Sequence, residues 1–261
     1  MMTTWKAIGK SVIGLSHQLT KTGCDDALAH AIVTDNAGEE ILICFASDGA
    51  GSASQAAAGA QLAVTTAVTF ITDFLQQGKS TAEKDLYLLA EQVYDTLALA
   101  ATRQNEPLEE YSCTLLGCIL AADYTCFVQV GDGAIVKNDG SDYYTHIWWP
   151  HNGEYQNTTA FITDNNNFRY LKVLVLQEQV TEVALFTDGL QMLTLNYDAG
   201  SVHQPFFNDM FKWLRMASLP EHITILNQKL EAYLGSPVIN KQTDDDKTLF
   251  LATRLKGNEH V

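Results

Sequence analysis

Residues 26–49 read DALAHAIVTDNAGEEILICFASDG: two β-rich runs, Ala27–Thr34 and Glu40–Ser47, on either side of the turn sequence DNAGE. Counting outward from Ala37 at the centre of the turn, Asp26 and Asp48 are equidistant. In a hairpin of that register the two aspartates face each other across the ladder, with Cα atoms about 5 Å apart. One bulge would shift the register. Directly opposed like charges destabilise a strand pair by several tenths of a kcal/mol or more. A cation between them removes the conflict.

The same placement recurs along the chain. Asp132 ends the run Cys126–Val130 in VGDG, Asp188 ends Val183–Thr187 in TDG, and Asp245 lies in DDDKT just before Leu249–Leu255. Asp48, Asp132 and Asp188 are each followed directly by glycine. Hard divalent cations such as Mg²⁺ and Mn²⁺ take oxygen ligands, and convergent carboxylates tolerate one another around such ions. Strand-end aspartates in this number therefore point to a metal-dependent hydrolase.

Composition narrows the classes. A chain of 261 residues with 46% hydrophobic and 18% charged residues can bury a sizeable core, in one large domain or two small ones. A net charge of −15 would repel a phosphate backbone, so neither nucleic acid nor an anionic membrane is an expected partner. The five cysteines include no C-x-x-C pair and lie mostly inside apolar strand-like runs. They read as reduced, buried thiols of a cytoplasmic protein rather than zinc ligands. The N-terminus MMTTWKAIGK lacks the pattern of a signal peptide, and no run of about 18 apolar residues is present, so no membrane span is expected.

Further strands are expected at Trp5–Leu15, Cys113–Ala122, Thr125–Val130, Ala134–Lys137, Tyr143–Ile147, Val173–Leu176, Glu182–Thr187 and Thr248–Leu255. Helical patterns cover Gln55–Gln77, with Leu62, Val64, Val68, Ile71 and Leu75 on one side, Thr81–Arg103, and segments near Pro205–Ala217 and Pro220–Leu234. The stretch 148–170 reads as a flap-like insertion. Strands in adjacent pairs with helices between the groups differ from strict β-α alternation. The expected fold is α+β: antiparallel sheets packed face to face, helices outside, in one domain spanning 1–261.

SDGAGSAS at 47–54 admits other readings. A dinucleotide fingerprint needs glycine where Ser54 stands, and a P-loop needs GK[ST], which is absent. An aspartyl-phosphate enzyme would want its nucleophile at Ala46. Taken alone, a plain strand-to-helix turn capped by Asp or Ser explains the segment equally well.

In their order, these residues resemble the metal-dependent protein phosphatase family (type 2C, PPM), and most closely its compact bacterial branch of stand-alone serine/threonine phosphatases. The resemblance runs from GLSHQLTKTGCDDA to TDDDKTLFLAT through SDGAGSASQAAAGAQLAV, YSCTLLG, GDG, GEYQNTTAFITD and FTDG. It implies a four-layer αββα sandwich with a dinuclear Mn²⁺/Mg²⁺ centre. Asp26 and Asp48 would be ligands, Asp48 the bridge, with the Gly49 carbonyl on one ion and Asp188 and Asp245 on the other side. Asp132, with Asp188, matches the place of a third, weaker ion. Asp25 stands where many relatives carry Glu, and Asp246 where they carry Asn.

Two departures matter. Lys21 falls about where many members have a phosphate-gripping arginine, and lysine lacks the bidentate fork. The histidine proposed as general acid in animal relatives falls at Ala50. The function implied is hydrolysis of phosphoserine and phosphothreonine by in-line attack of a water activated between two cations, on phosphoprotein substrates of a bacterial Ser/Thr kinase. A catalytically weak phosphoprotein-binding scaffold and a small-molecule phosphatase are the competing functions. His17 reads as a hydrogen-bonded structural histidine before a phosphate contact, and Trp148–Trp149 as packing before a substrate lip. Glu154 and Tyr155 are candidate phosphoprotein contacts within the flap.

Overall fold

The computed structural model describes residues 4–141, 143–150, 159–164 and 168–255. Strand β1 (Lys6–Val12) and the short helix α1 (Leu15–Thr20) precede the hairpin of β2 (Ala27–Thr34) and β3 (Glu40–Ser47). Its turn closes because the Asp35 carboxylate accepts the N–H groups of Ala37 and Glu39, a geometry aspartate readily adopts. Then come α2 (Ala56–Gln76), α3 (Glu83–Gln104), a single 3₁₀ turn (Leu108–Tyr111), β4 (Leu115–Leu120), β5 (Thr125–Val130), β6 (Ala134–Asn138) and β7 (Thr145–His146). The chain continues through β8 (Lys172–Leu176), β9 (Glu182–Phe186), the one-turn helix α4 (Gln191–Thr194), β10 (Leu195–Asn196) and β11 (Ser201–Val202). Helices α5 (Gln204–Met216) and α6 (Pro220–Leu234) and strand β12 (Lys247–Thr253) complete it. The fold is thus α+β, with two antiparallel five-stranded sheets flanked by helices.

Two compact units share these elements. One spans Asp25–Gly133 and Pro150–Gln179, and carries the sheet ordered β2-β3-β4-β5-β8. Helix α2 lies on β2 and β3, and α3 lies against α2 and β8. In α3 the apolar residues at helical spacing, Leu86, Leu89, Val93 and Leu97, are fully buried. In α2, Val64, Ile71 and Leu75 are buried as expected, beside Ala60, Ala63 and Ala67, while Leu62 and Val68 are half-buried. Small residues share that face because the helix sits close to its support: a Cβ on Gly59 would lie 2.4 Å from the Tyr111 carbonyl oxygen. By length and composition α2 also passes as a membrane span, which the count of consecutive apolar residues did not suggest; its buried face packs on this unit's sheet.

The other unit spans Met1–Cys24, Ala134–Trp149 and Val180–Val261, with a sheet ordered β1-β12-β9-β6-β7. Helix α6 packs on β1 and α5 on β12 and β1. An ion pair between the half-buried Arg215 and the buried Glu182 ties α5 to that sheet. Arg215 donates to both carboxylate oxygens of Glu182, at 2.8 and 2.5 Å, and Tyr144 and Thr253 donate their hydroxyls to the same carboxylate. The first strand ends at Val12 rather than Leu15, and α1 follows, because Gly14 and Ser16 hydrogen-bond to the Asp244–Asp246 segment instead of to a strand.

Candidate metal centre

The hairpin register carries the first two aspartates to one place. Ala27 pairs with Ser47, and the next step outward sets Asp26 opposite Asp48. Gly49 N–H donates to the Asp25 carbonyl at 3.2 Å, so the ladder runs past both aspartates without a bulge. Asp26 is buried and Asp48 half-buried.

Thr114, just before β4, fixes Asp48 at its backbone. The Asp48 N–H donates to the Thr114 hydroxyl at 2.9 Å, and the Thr114 N–H donates back to the Asp48 carbonyl at 2.8 Å. Gly49 is glycine for want of space: a Cβ there would lie 2.7 Å from the backbone of Ala56, at the start of α2. Asp132, in the turn between β5 and β6, is also buried and accepts the Thr159 hydroxyl at 2.6 Å. Carboxylate oxygens of Asp48 and Asp132 come within 4.8 Å of each other.

In the other unit, Asp188 follows β9 and Asp245 precedes β12, two strands that are hydrogen-bonded neighbours. A Cβ on Gly189 would lie 2.0 Å from the Asp246 carbonyl and 3.5 Å from the Asp245 Cβ, so the TDG turn presses directly on DDDKT. Thr187 supports the contact by accepting the Thr248 N–H on its hydroxyl. Desolvation of the Asp245 carboxyl group, with Asp246 and Asp244 adding negative charge nearby, raises its pKa above the ordinary aspartate value. Asp246 is buried and faces away from this task. Its carboxylate accepts the Gly14 N–H at 2.6 Å and meets His17 Nδ1 at 2.9 Å, so His17 is a hydrogen-bonded histidine.

The donors gathered in each unit are hard oxygens, carboxylates and backbone carbonyls, which suit Mg²⁺ or Mn²⁺ and not a soft or nitrogen-seeking metal. Lys21 sits exposed at the left-handed end of α1, with φ 60°. Trp149 packs edge-on against His146 and Tyr197, as expected for packing. Glu154 and Tyr155 lie outside the described residues. Thr114, Thr159 and Gln129 had no individual signal in the sequence. Hydroxyl and amide residues in strands and turns are common, and only the fold shows which backbone groups they meet.

Comparison with known proteins identifies the family. A family model described as "Protein phosphatase 2C" matches residues 13–235, a span that holds Asp26, Asp48, Asp132 and Asp188. Serine/threonine-protein phosphatase 3 of Escherichia coli (strain K12) is 35% identical over 250 residues, covering 95% of this chain and 98% of that protein. Among solved structures, the serine/threonine phosphatase Stp1 of Staphylococcus aureus aligns with a TM-score of 0.59 at 13% identity, covering 97% of this chain and 96% of that one. The catalytic domain of the phosphatase PstP, solved in complex with two manganese ions, aligns at 0.57 and 14% identity, covering 95% and 97%. The similarity spans the fold from end to end, and the chain belongs to the protein phosphatase 2C family.

Proposed function

We propose that this chain is a Mn²⁺/Mg²⁺-dependent protein serine/threonine phosphatase whose two units act as one catalytic domain. Asp26, Asp48, the Gly49 carbonyl, Asp188 and Asp245 would hold two ions, and Asp132 a third. The observation that carries the reading is the placement of aspartates in each unit: Asp26 opposite Asp48, Asp48 and Asp132 with carboxylate oxygens within 4.8 Å, and Asp188 on the turn that packs on residues 245–246. Carboxylates within 4.8 Å repel one another unless a cation lies among them.

When bound, a pair of divalent cations supplies a water of lowered pKa and positive charge for the phosphoryl oxygens. The protein's own part is to hold and orient. Thr114 fixes the backbone of Asp48, Thr159 binds the Asp132 carboxylate, and the Gly14 N–H and His17 hold Asp246 away from the ligand set. Lys21, exposed beside this unit's first helix, is the candidate for attracting the substrate phosphate. Phosphoproteins in the cytoplasm, made by a bacterial Ser/Thr kinase, are the substrates this reading implies.

The test is hydrolysis of a phosphothreonine peptide by purified protein with Mn²⁺, beside sugar and nucleotide phosphates. Asp48→Asn and Asp188→Asn should each lower turnover by at least about 100-fold. Phosphopeptide binding without turnover would favour a scaffold instead, and preference for the small phosphates a metabolite phosphatase.

A further inference from the structure

Gln129 has a place in this unit that no strand pattern requires. It is fully buried on β5, where its neighbours Val128 and Val130 are apolar, and it stands just before the turn that carries Asp132. Its side-chain nitrogen donates to the Gly131 carbonyl at 3.2 Å and to the Gly133 carbonyl at 2.8 Å. Those carbonyls belong to the residues immediately before and after Asp132. Both partners are acceptors, so the nitrogen must face the turn; an amide oxygen there would repel them. The Gln129 amide oxygen has no hydrogen-bond partner among the described residues, a cost that a hydrophobic side chain of the same shape would avoid.

The turn needs such a restraint. Glycines on both sides of Asp132 give its backbone unusual freedom, and Gly131 has a φ of 104°, open to glycine and strained for other residues. Asp132 also stands within 4.8 Å of the Asp48 carboxylate, and two like charges at that range push a loose turn apart. Gly131 is pressed on Thr114, the residue that fixes Asp48: a Cβ at 131 would lie 2.5 Å from the Thr114 methyl carbon. Thr114 therefore bounds the turn on one side and Gln129 clamps both of its carbonyls.

We propose that Gln129 is a positioning residue: its side-chain amide locks the Gly131–Gly133 turn, and so sets how tightly Asp132 binds a divalent cation. The inference rests on the proposed role of Asp132 as a ligand. Removing a group that orients a metal ligand typically costs 10–100-fold in affinity.

The experiment is Mn²⁺ titration of metal-free protein, read by the electron paramagnetic resonance signal of free Mn²⁺, with thermal unfolding recorded alongside. Wild type should show tight binding and a weaker class that disappears in Asp132→Asn. Gln129→Met, which keeps size but loses both donors, should weaken that weaker class about tenfold and leave the tight class within about twofold. In the Asp132→Asn background it should change nothing further. Equal weakening of both classes, or none, overturns the proposal. If wild type has no class that depends on Asp132, the ligand assignment itself fails and this inference with it, a result seen before any Gln129 variant is made. Should Gln129→Met not fold, wild type still decides. The Gln129 side-chain amide protons should exchange slowly and shift together with the Asp132 amide during Mg²⁺ titration. Fast exchange, or no shift, contradicts the clamp.

Discussion

Asp246 and Asp245 are neighbours in sequence with different work. Asp246 spends its carboxylate on Gly14 and His17 inside its own unit, and the Asp245 carboxylate, its pKa raised, accepts the Asp246 N–H at 2.8 Å. A run of three aspartates cannot reveal that division, because it depends on which side chain the β12 register turns inward. The cysteines were more legible. Cys44, Cys113, Cys118 and Cys126 are buried, as their apolar surroundings suggested, and Cys24 is half-buried. Burial pushes the Cys113 and Cys126 thiols up to about 12, and raises Cys44 and Cys118 as well. At pH 8 a thiol with a pKa near 12 is about one part in 10⁴ thiolate, the form that reacts. Iodoacetamide at pH 8 should therefore label native protein at Cys24 alone. Peptide mass spectrometry showing rapid labelling of the other four would contradict that burial.

At the scale of elements, the hairpin was readable to the residue because its turn chemistry separates two β-rich runs cleanly; β5 and α6 were also placed where they lie. Boundaries failed where tertiary contacts intervene. The strand expected over Tyr143–Ile147 is only Thr145–His146, because the Asn138 side chain draws the Ser141 and Tyr143 carbonyls into a turn. In helix α2, Val64, Ile71 and Leu75 are buried as the periodicity indicated, but Leu62 and Val68 are half-buried and alanines share the face. Gly59→Ala is a sharp test of that packing. Helix propensity alone favours alanine by about 1 kcal/mol, yet the added Cβ meets the Tyr111 carbonyl. Denaturant unfolding should show a loss of about 1–3 kcal/mol. A gain would mean that α2 has room to move off the Tyr111 turn.

The Glu182–Arg215 pair anchors α5 in the other unit, and Arg215→Met would leave Glu182 buried without its partner. The expected cost at neutral pH is about 3–5 kcal/mol. Denaturant unfolding at neutral pH checks this; a loss below about 1 kcal/mol would mean that the Tyr144 and Thr253 hydroxyls alone satisfy the Glu182 carboxylate.

For the whole molecule, the aspartates span positions 26 to 245, with Asp26, Asp48 and Asp132 in one unit and Asp188 and Asp245 in the other. The recurring motif, an aspartate just beyond an apolar strand, is what singled these residues out in the sequence. The strand order that seats Asp188 beside Asp245 was not visible, because β9 and β12 pair across a long separation in sequence and nothing local encodes such a pairing. The proposed function requires Asp26, Asp48, Asp188 and Asp245 to hold one set of cations. The most direct measurement is diffraction from Mn²⁺-soaked crystals at the manganese absorption edge. We predict two strong anomalous peaks roughly 3.5–4 Å apart, bounded by Asp26, Asp48, the Gly49 carbonyl, Asp188 and Asp245. Peaks confined to the ligands of one unit, or no peak at these residues with Mn²⁺ in excess, would contradict it.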